Sequence, residues 1–436
     1  MRRPVNSIMF ILNLNHVQKL ASSFTPSSFI STAHSQQRII CNNIPLRKPC
    51  STASVAATTE KEETATSVYT TKPYFPIYYN DVYEVPLPPN HRFPMDKYRL
   101  VRKRLQAKIN ELPLDIRNTI QYDFKISPLV SVEDLTTTHC PDYVKRFMIG
   151  DQTDDEIRNV GFPWSTHGVD RALSSTGGTV AAAVSICEAK IQQQKASHGI
   201  TKNNGVLWSA HVAGGTHHAF KDRGEGFCVF SDIAVASNVI LRDFPDIIKR
   251  ILIIDLDVHQ GNGNAVLFKS VNEVTTFSIH CKANYFSEKQ KSDLDIELPQ
   301  GCGDETYLPT LNYWLNRVKR GDAGNIDFIF FQAGGKFLFK PYYNMYVVFN
   351  KLMSKLKKHT RKKVDILNDD RLGKLSLTQD GINRRNKMVF DLANELNCPL
   401  CITMGGGYPK NDWEPILEAH VNVYFQAFQY LMNDST

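Results

Sequence analysis

Five short apolar runs, separated by segments of helical periodicity, limit what this chain can fold into. Gly205–Ala210, Ile251–Leu256, Val274–His280, Ile326–Gln332 and Pro399–Met404 read as strands. Gly177–Gln194, Asp232–Arg242, Thr306–Lys319 and Asn383–Leu396 read as helices between and around them. Strand–helix–strand alternation at this spacing implies an α/β fold with a mostly parallel central sheet and helices on both faces. Ligands in such a sheet sit beyond the carboxyl ends of its strands. The folded part is expected to begin at Tyr74-Phe-Pro-Ile-Tyr-Tyr, with a helix following over Asp96–Asn110.

Charge is unevenly placed. Residues 1–59 hold six basic residues (Arg2, Arg3, Lys19, Arg38, Arg47, Lys48) and no Asp or Glu. Residues 335–363 hold eight Lys and one Arg, again without an acid. These segments more than account for the net charge of +7, so the rest of the chain is acidic. An electrostatic grip on nucleic acid is therefore not expected. The Ser/Thr-rich start, acid-free until Glu60 and taken as 1–68, has the composition of a plastid or mitochondrial transit peptide. The other reading is a plain N-terminal extension, which would leave the protein in the nucleus or cytoplasm. No apolar run approaches the roughly 20 residues of a membrane-spanning helix, and no membrane partner is expected. Cys398-Pro-Leu-Cys401 lacks a second CxxC to complete a zinc site, so both are expected to be buried thiols in a reducing compartment.

The strongest local signal is Ile253-Ile-Asp255-Leu-Asp257-Val-His259-Gln-Gly-Asn262-Gly. A strand runs into Asp, Asp and His at alternate positions, which a period of two places on one side. Carboxylate and imidazole together suit a zinc ion. Gly214-Gly-Thr-His217-His218 adds adjacent imidazoles able to take and return a proton near neutral pH. Gly226-Phe227-Cys228 follows, supplying a thin backbone and an aromatic wall. Val364-Asp365-Ile-Leu-Asn-Asp-Asp370-Arg371-Leu372 and Met404-Gly-Gly-Gly-Tyr408 complete the set. Each alone is weak, because acidic strand ends and Gly-rich turns are common in α/β proteins.

In this order the motifs resemble the zinc-dependent histone deacetylase family, over roughly Tyr74 to the C-terminus. Pro89-Asn-His-Arg-Phe-Pro-Met95 and Gly161-Phe-Pro-Trp164 look like its class IV branch and that branch's plant and bacterial relatives. The resemblance implies an arginase/deacetylase-like three-layer fold for residues 69–436. It implies one catalytic Zn2+ held by Asp257, His259 and Asp365, with His217 and His218 as base and acid. Asp255 would orient His217, Asn262 would partner His218, and Tyr408 would donate to the oxyanion. Gly226, Phe227 and Leu372 would line the acyl-lysine tunnel of a protein substrate. Asp255, Asp257, His259 and Ser278 match the surroundings of a structural K+. Asn262 departs from the class I pattern, which has an Asp there; a neutral partner stabilises an imidazolium less.

The family pattern runs Gln-Ala-Gly directly into Val-Asp-Ile-Leu. Here Gln332-Ala-Gly334 and Val364-Asp365 are separated by Gly335–Lys363. A retained intron translated as protein is one reading, since Gly335-Lys336 is how a donor-like splice sequence would translate; a basic insertion loop is the other. Long loops without structure of their own are uncommon inside compact domains. Lysine deacetylation is the leading expectation, with long-chain deacylation, acetylpolyamine hydrolysis or an impaired binding module as alternatives. An arginase-type two-metal centre would need more carboxylates than this chain shows. No dimer surface is evident in the sequence.

Overall fold

The structure, a computed structural model, describes residues 72–89, 91–196, 206–285, 288–334, 372–409 and 412–433. The leader 1–68, the segment 335–363 and Asp365 lie outside the described residues.

Eight strands form one sheet: β1 Tyr74–Tyr79, β2 Gln121–Ile126, β3 Trp208–His211, β4 Ile251–Asp255, β5 Val274–Cys281, β6 Leu294–Leu298, β7 Phe328–Ala333 and β8 Leu400–Met404. Their order is β2-β1-β3-β8-β7-β4-β5-β6, and every pairing is parallel. The five expected strands are present within a residue or three of their expected ends. The longer helices are α1 Asp96–Glu111, α2 Thr166–Ala196, α3 Asp232–Asp243, α4 Asp304–Arg317, α5 Gln379–Glu395 and α6 Glu414–Asn433. Among the described residues no helix is long and apolar enough to cross a membrane.

Two apolar layers follow from the period-two pattern of the central strands. Leu252 and Ile254 of β4, with Ile329 and Phe331 of β7, face a core shared with α1, α4, α5 and α6. Ile251 and Ile253, with Phe328 and Phe330, face the opposite core, made with α2 and α3. Parallel strands buried on both sides read as continuous apolar runs, which is why these were legible. Beyond β4 the parity continues. Leu256 and Val258 remain in the first core, and the intervening Asp255, Asp257 and His259 take the other parity.

The helix expected over Gly177–Gln194 begins earlier, at Thr166, where the Ser165 hydroxyl accepts the Gly168 N–H at 3.0 Å. Gly177 and Gly178 are not a boundary. A Cβ on Gly177 would lie 2.1 Å from the Pro128 carbonyl oxygen, so these glycines let a neighbouring loop touch the helix.

Burial keeps His139, His211 and His280 neutral, and the first two also link two partners each. His139 donates from Nδ1 to the Phe220 carbonyl at 2.9 Å and accepts the Ser231 N–H at Nε2, also at 2.9 Å. Burial lowers its pKa to about 4. His211 falls to about 3 and His280 to about 4 by the same cause. The unfolded chain therefore binds more protons than the native one below about pH 6.5. Stability is expected to be full above that pH and to fall as pH drops toward 4, by up to about 1.4 kcal/mol per pH unit for each histidine. Urea unfolding of chelator-treated protein at pH 7, 6 and 5 measures this; equal midpoints would refute the neutral assignment.

Cys398 and Cys401 are buried free thiols, as expected, and burial pushes Cys401 up to about 12.

Candidate active site

The site lies where the carboxyl ends of β3, β4, β7 and β8 meet, beyond the sheet as the topology requires. β4 leads into Asp255-Leu-Asp257-Val-His259, and all three polar side chains are nearly inaccessible, with Asp257 at 0%. Asp255 Oδ1 accepts the Asp257 N–H at 3.0 Å, and Asp257 Oδ1 accepts the His259 N–H at 2.9 Å. Each carboxylate thus sets the backbone of the next functional residue.

The His pair follows β3. His217 Nδ1 donates to Asp255 Oδ2 at 2.5 Å, and His218 Nδ1 donates to Asn262 Oδ1 at 2.6 Å. Both bonds place the proton on Nδ1, which makes Nε2 the basic atom of each ring. The rings lie 3.9 Å apart by centroid, and His218 stands edge-on to His259 at 5.8 Å. Burial raises the Asp255 carboxyl, while the neighbouring His217 pulls it back down. Gly261 has to be glycine here, because a Cβ would lie 2.3 Å from Asp255 Oδ2.

β8 ends in the Gly405-Gly-Gly-Tyr408 turn. The Gly406 N–H donates to Asp257 Oδ2 at 3.0 Å, tying this turn to the acidic strand end. A Cβ on Gly405 would meet Gly334 Cα at 2.3 Å. Tyr408 is buried against Phe227 and Phe93, with ring centroids at 5.6 and 6.2 Å. Phe227 adopts φ +67°, a left-handed conformation that costs a non-glycine residue on the order of 1 kcal/mol or more. Its N–H donates to the Val160 carbonyl at 2.8 Å, which holds that conformation. Ser278 is the direct β5 partner of Asp255, so the expected K+ surroundings are brought together.

Asp257 Oδ1 and His259 Nδ1 lie 3.2 Å apart. Two donors on one tetrahedral zinc, with bonds near 2.0 Å, would be separated by about 3.3 Å, so this couple fits that ion. Among the described residues no group of three or more His, Cys, Asp or Glu side chains is arranged to hold a metal. Asp365, the third expected ligand, is not described. Both flanks of its segment nevertheless reach the site. Gly334 packs on Asp257, and the Leu372 carbonyl accepts from Asn284 Nδ2 at 2.5 Å. That same Nδ2 lies 3.0 Å from His259 Nε2. Leu372 itself is 37% exposed at the rim.

Three supporting residues escaped the sequence reading. Asn284 sits in a loop and carries no motif. Lys97, on the buried face of α1, donates to the Gly405 carbonyl at 3.3 Å. Arg385, on the buried face of α5, donates to the Gly334 carbonyl at 2.8 Å. The last two had a signal: each is a cation at an apolar position of a helical repeat.

Comparison with known proteins identifies the family. Residues 91–336 match the histone deacetylase domain model. Over 338 residues the chain is 35% identical to an uncharacterized protein of Picosynechococcus sp. (strain ATCC 27264 / PCC 7002 / PR-6), covering 77% of this chain and 93% of that protein. It is 29% identical to histone deacetylase 2 of Arabidopsis thaliana over 50% of this chain and 49% of that one. Among solved structures, an HDAC homolog complexed with SAHA shares the fold at TM-score 0.58 and 21% identity, over 82% of this chain and 84% of that one. The HD domain of HDA15 does so at TM-score 0.56 and 18% identity, over 82% of this chain and 90% of that one. With its parallel sheet, its paired imidazoles and its acidic strand end, the chain belongs to the histone deacetylase family.

Proposed function

We propose that this protein hydrolyses the acyl amide of N6-acyl-lysine in protein substrates, using zinc held by Asp257, His259 and Asp365. The observation that carries the reading is the pair of Nδ1-anchored imidazoles facing the Asp257–His259 couple. Zinc, when bound, would supply Lewis acidity to the amide carbonyl and to water. His217 Nε2 takes the proton of the attacking water, and Asp255 stabilises the charge that this creates. His218, against neutral Asn262, is the weaker base and, once protonated at Nε2, the better donor; after it gives that proton to the leaving lysine amine, the proton that His217 took from water restores the pair. Tyr408 donates its hydroxyl to the developing oxyanion. Gly226 and Phe227 wall the tunnel that admits the acyl-lysine stem, and Leu372 borders its mouth. A K+ beside Asp255, Asp257, His259 and Ser278 would stiffen the strand end.

The test is release of acetate from acetyl-lysine peptides by the full chain, with and without a zinc chelator. Turnover lost on chelation and restored by zinc is expected; zinc-loaded, folded protein without turnover would sink the reading. Tyr408→Phe is expected to lower kcat by about 10²–10³-fold with little change in KM, as removal of an oxyanion donor does. Steady-state kinetics on the same peptides check it.

One observation favours a longer acyl group as a second reading. Phe227 also lines a mainly apolar cavity of about 70 Å³ with Phe93, Val160, Phe162, Trp164 and Phe230, beside Arg171 and Thr216. A chain that passes Phe227 meets hydrocarbon there. Comparing kcat/KM on acetyl and myristoyl peptides separates the two readings.

The family match stops at residue 336, beside the start of the 335–363 segment. This supports the reading of that segment as foreign to the catalytic domain; the class IV-like branch and an organelle address are proposed from the motifs and the leader composition alone. Deleting Gly335–Lys363 is expected to raise turnover by roughly 10²-fold, the effect of correcting a misplacement of about 1 Å. Equal zinc content and equal turnover in both forms would show the segment to be a harmless insertion.

A further inference from the structure

The loop that carries the His pair closes around a carboxylate that the reaction does not touch. Asp232 opens α3 and is 0% exposed. Its Oδ1 accepts the Thr216 N–H at 2.8 Å and the Thr216 hydroxyl at 2.7 Å. Its Oδ2 accepts the Gly215 N–H at 2.9 Å and the Thr179 hydroxyl at 2.6 Å. The Asp232 N–H returns a bond to Thr216 Oγ1 at 3.0 Å.

Four donors converge on two oxygens, which fills the acceptor sites of the carboxylate. The arrangement extends inward. Thr179, having donated to Asp232, accepts from His211 Nδ1 at 2.9 Å. His211 Nε2 then accepts from the Ser127 hydroxyl at 3.1 Å. The loop is shaped to this carboxylate: Gly214 has φ +73°, and a Cβ there would lie 2.3 Å from Asp232 Oδ2. The loop is also pressed against the other side of the site. A Cβ on Gly215 would lie 1.7 Å from the Met404 carbonyl oxygen, and Gln332 Nε2 donates to the Gly215 carbonyl at 3.1 Å. His217 is the next residue after Thr216, and Met404 opens the turn to Tyr408.

We propose that Asp232 is the positioning residue that sets the His217–His218 pair against the Tyr408 turn. The proposal rests on the deacylase reading for its kinetic consequence but not for its geometry. Both loop N–H groups donate to this one side chain, so its carboxylate decides where the imidazoles stand. An amide in its place must turn an NH2 toward one pair of donors and release that half of the clamp.

The experiment compares Asp232→Asn, Thr179→Val, Thr179→Ser and Thr216→Val in the full chain. Asp232→Asn is expected to lower kcat by about 10²-fold while KM changes less than about threefold, since a shift of about 1 Å in catalytic groups costs that much. Thr179→Val should lose part of that and Thr179→Ser should restore it. The second readout is the imidazole 15N spectrum of His217 and His218 in chelator-treated protein, which should shift in Asp232→Asn at near-native melting temperature. Unchanged imidazole signals, or kcat within threefold of the parent, would overturn the proposal. If Asp232→Asn does not fold, parental kcat in both Thr179→Val and Thr216→Val would overturn it equally. A parent that shows no deacylation fails the functional reading alone, because the imidazole spectra still decide the role of Asp232.

Discussion

Asp257→Ala is expected to empty the proposed zinc site and to lower acetyl-lysine turnover by at least about 10³-fold, since the proposed mechanism relies on the ion's activation of water. The carboxylate is also a structural hub. It is fully buried, takes the His259 N–H on one oxygen and takes the Gly406 N–H on the other. Its loss therefore frees the imidazole ligand and the Tyr408 turn together. Asp257→Asn separates these roles, because the amide oxygen can still accept one N–H but binds zinc poorly. Metal analysis should give close to one zinc per parent chain and far less in both variants. A folded Asp257→Ala protein that keeps its zinc and turns over within tenfold of the parent would remove Asp257 from the ligand set.

His217→Ala and His218→Ala should each lower kcat by about 10²–10⁴-fold, the range for loss of a positioned acid or base. Their effects on stability should differ. His217 is the partner of the buried Asp255 carboxyl at 2.5 Å, which the proposed mechanism requires to be ionised, whereas His218 bonds to neutral Asn262 at 2.6 Å. Removing His217 strands a buried charge, which costs about 3–5 kcal/mol. Removing His218 leaves an amide oxygen without its donor, at about 1–3 kcal/mol. The double variant His217→Ala/Asp255→Ala should regain part of the stability and none of the activity. Equal denaturation midpoints for the two single variants would contradict the assignment of charge to Asp255.

Legibility varied with how locally each feature is encoded. The central strands β4, β7 and β8 were evident because burial on both faces makes them nearly continuous apolar runs. β2, at the sheet edge, mixes exposed and half-buried positions and offers no such run. Asp255, Asp257 and His259 were legible because a strand's period of two puts them on one side, and His217 and His218 because they are adjacent. Asn284 and Asp232 were not, since a lone Asn in a loop and an Asp at a helix start are ordinary in sequence.

The amino-acid order by itself determined the strand parity that gathers the acidic groups, the pairing of the imidazoles and the glycines that let the chain bend beside them. All of these depend on neighbours within a few residues. Only the tertiary structure decided which carboxylate anchors which ring, that Gly406 binds Asp257 and that Asp232 clamps the loop of the His pair. Those contacts join residues 16 to 149 positions apart. Bringing such distant residues together costs loop-closure entropy that only the whole fold offsets, and no local pattern records the meeting.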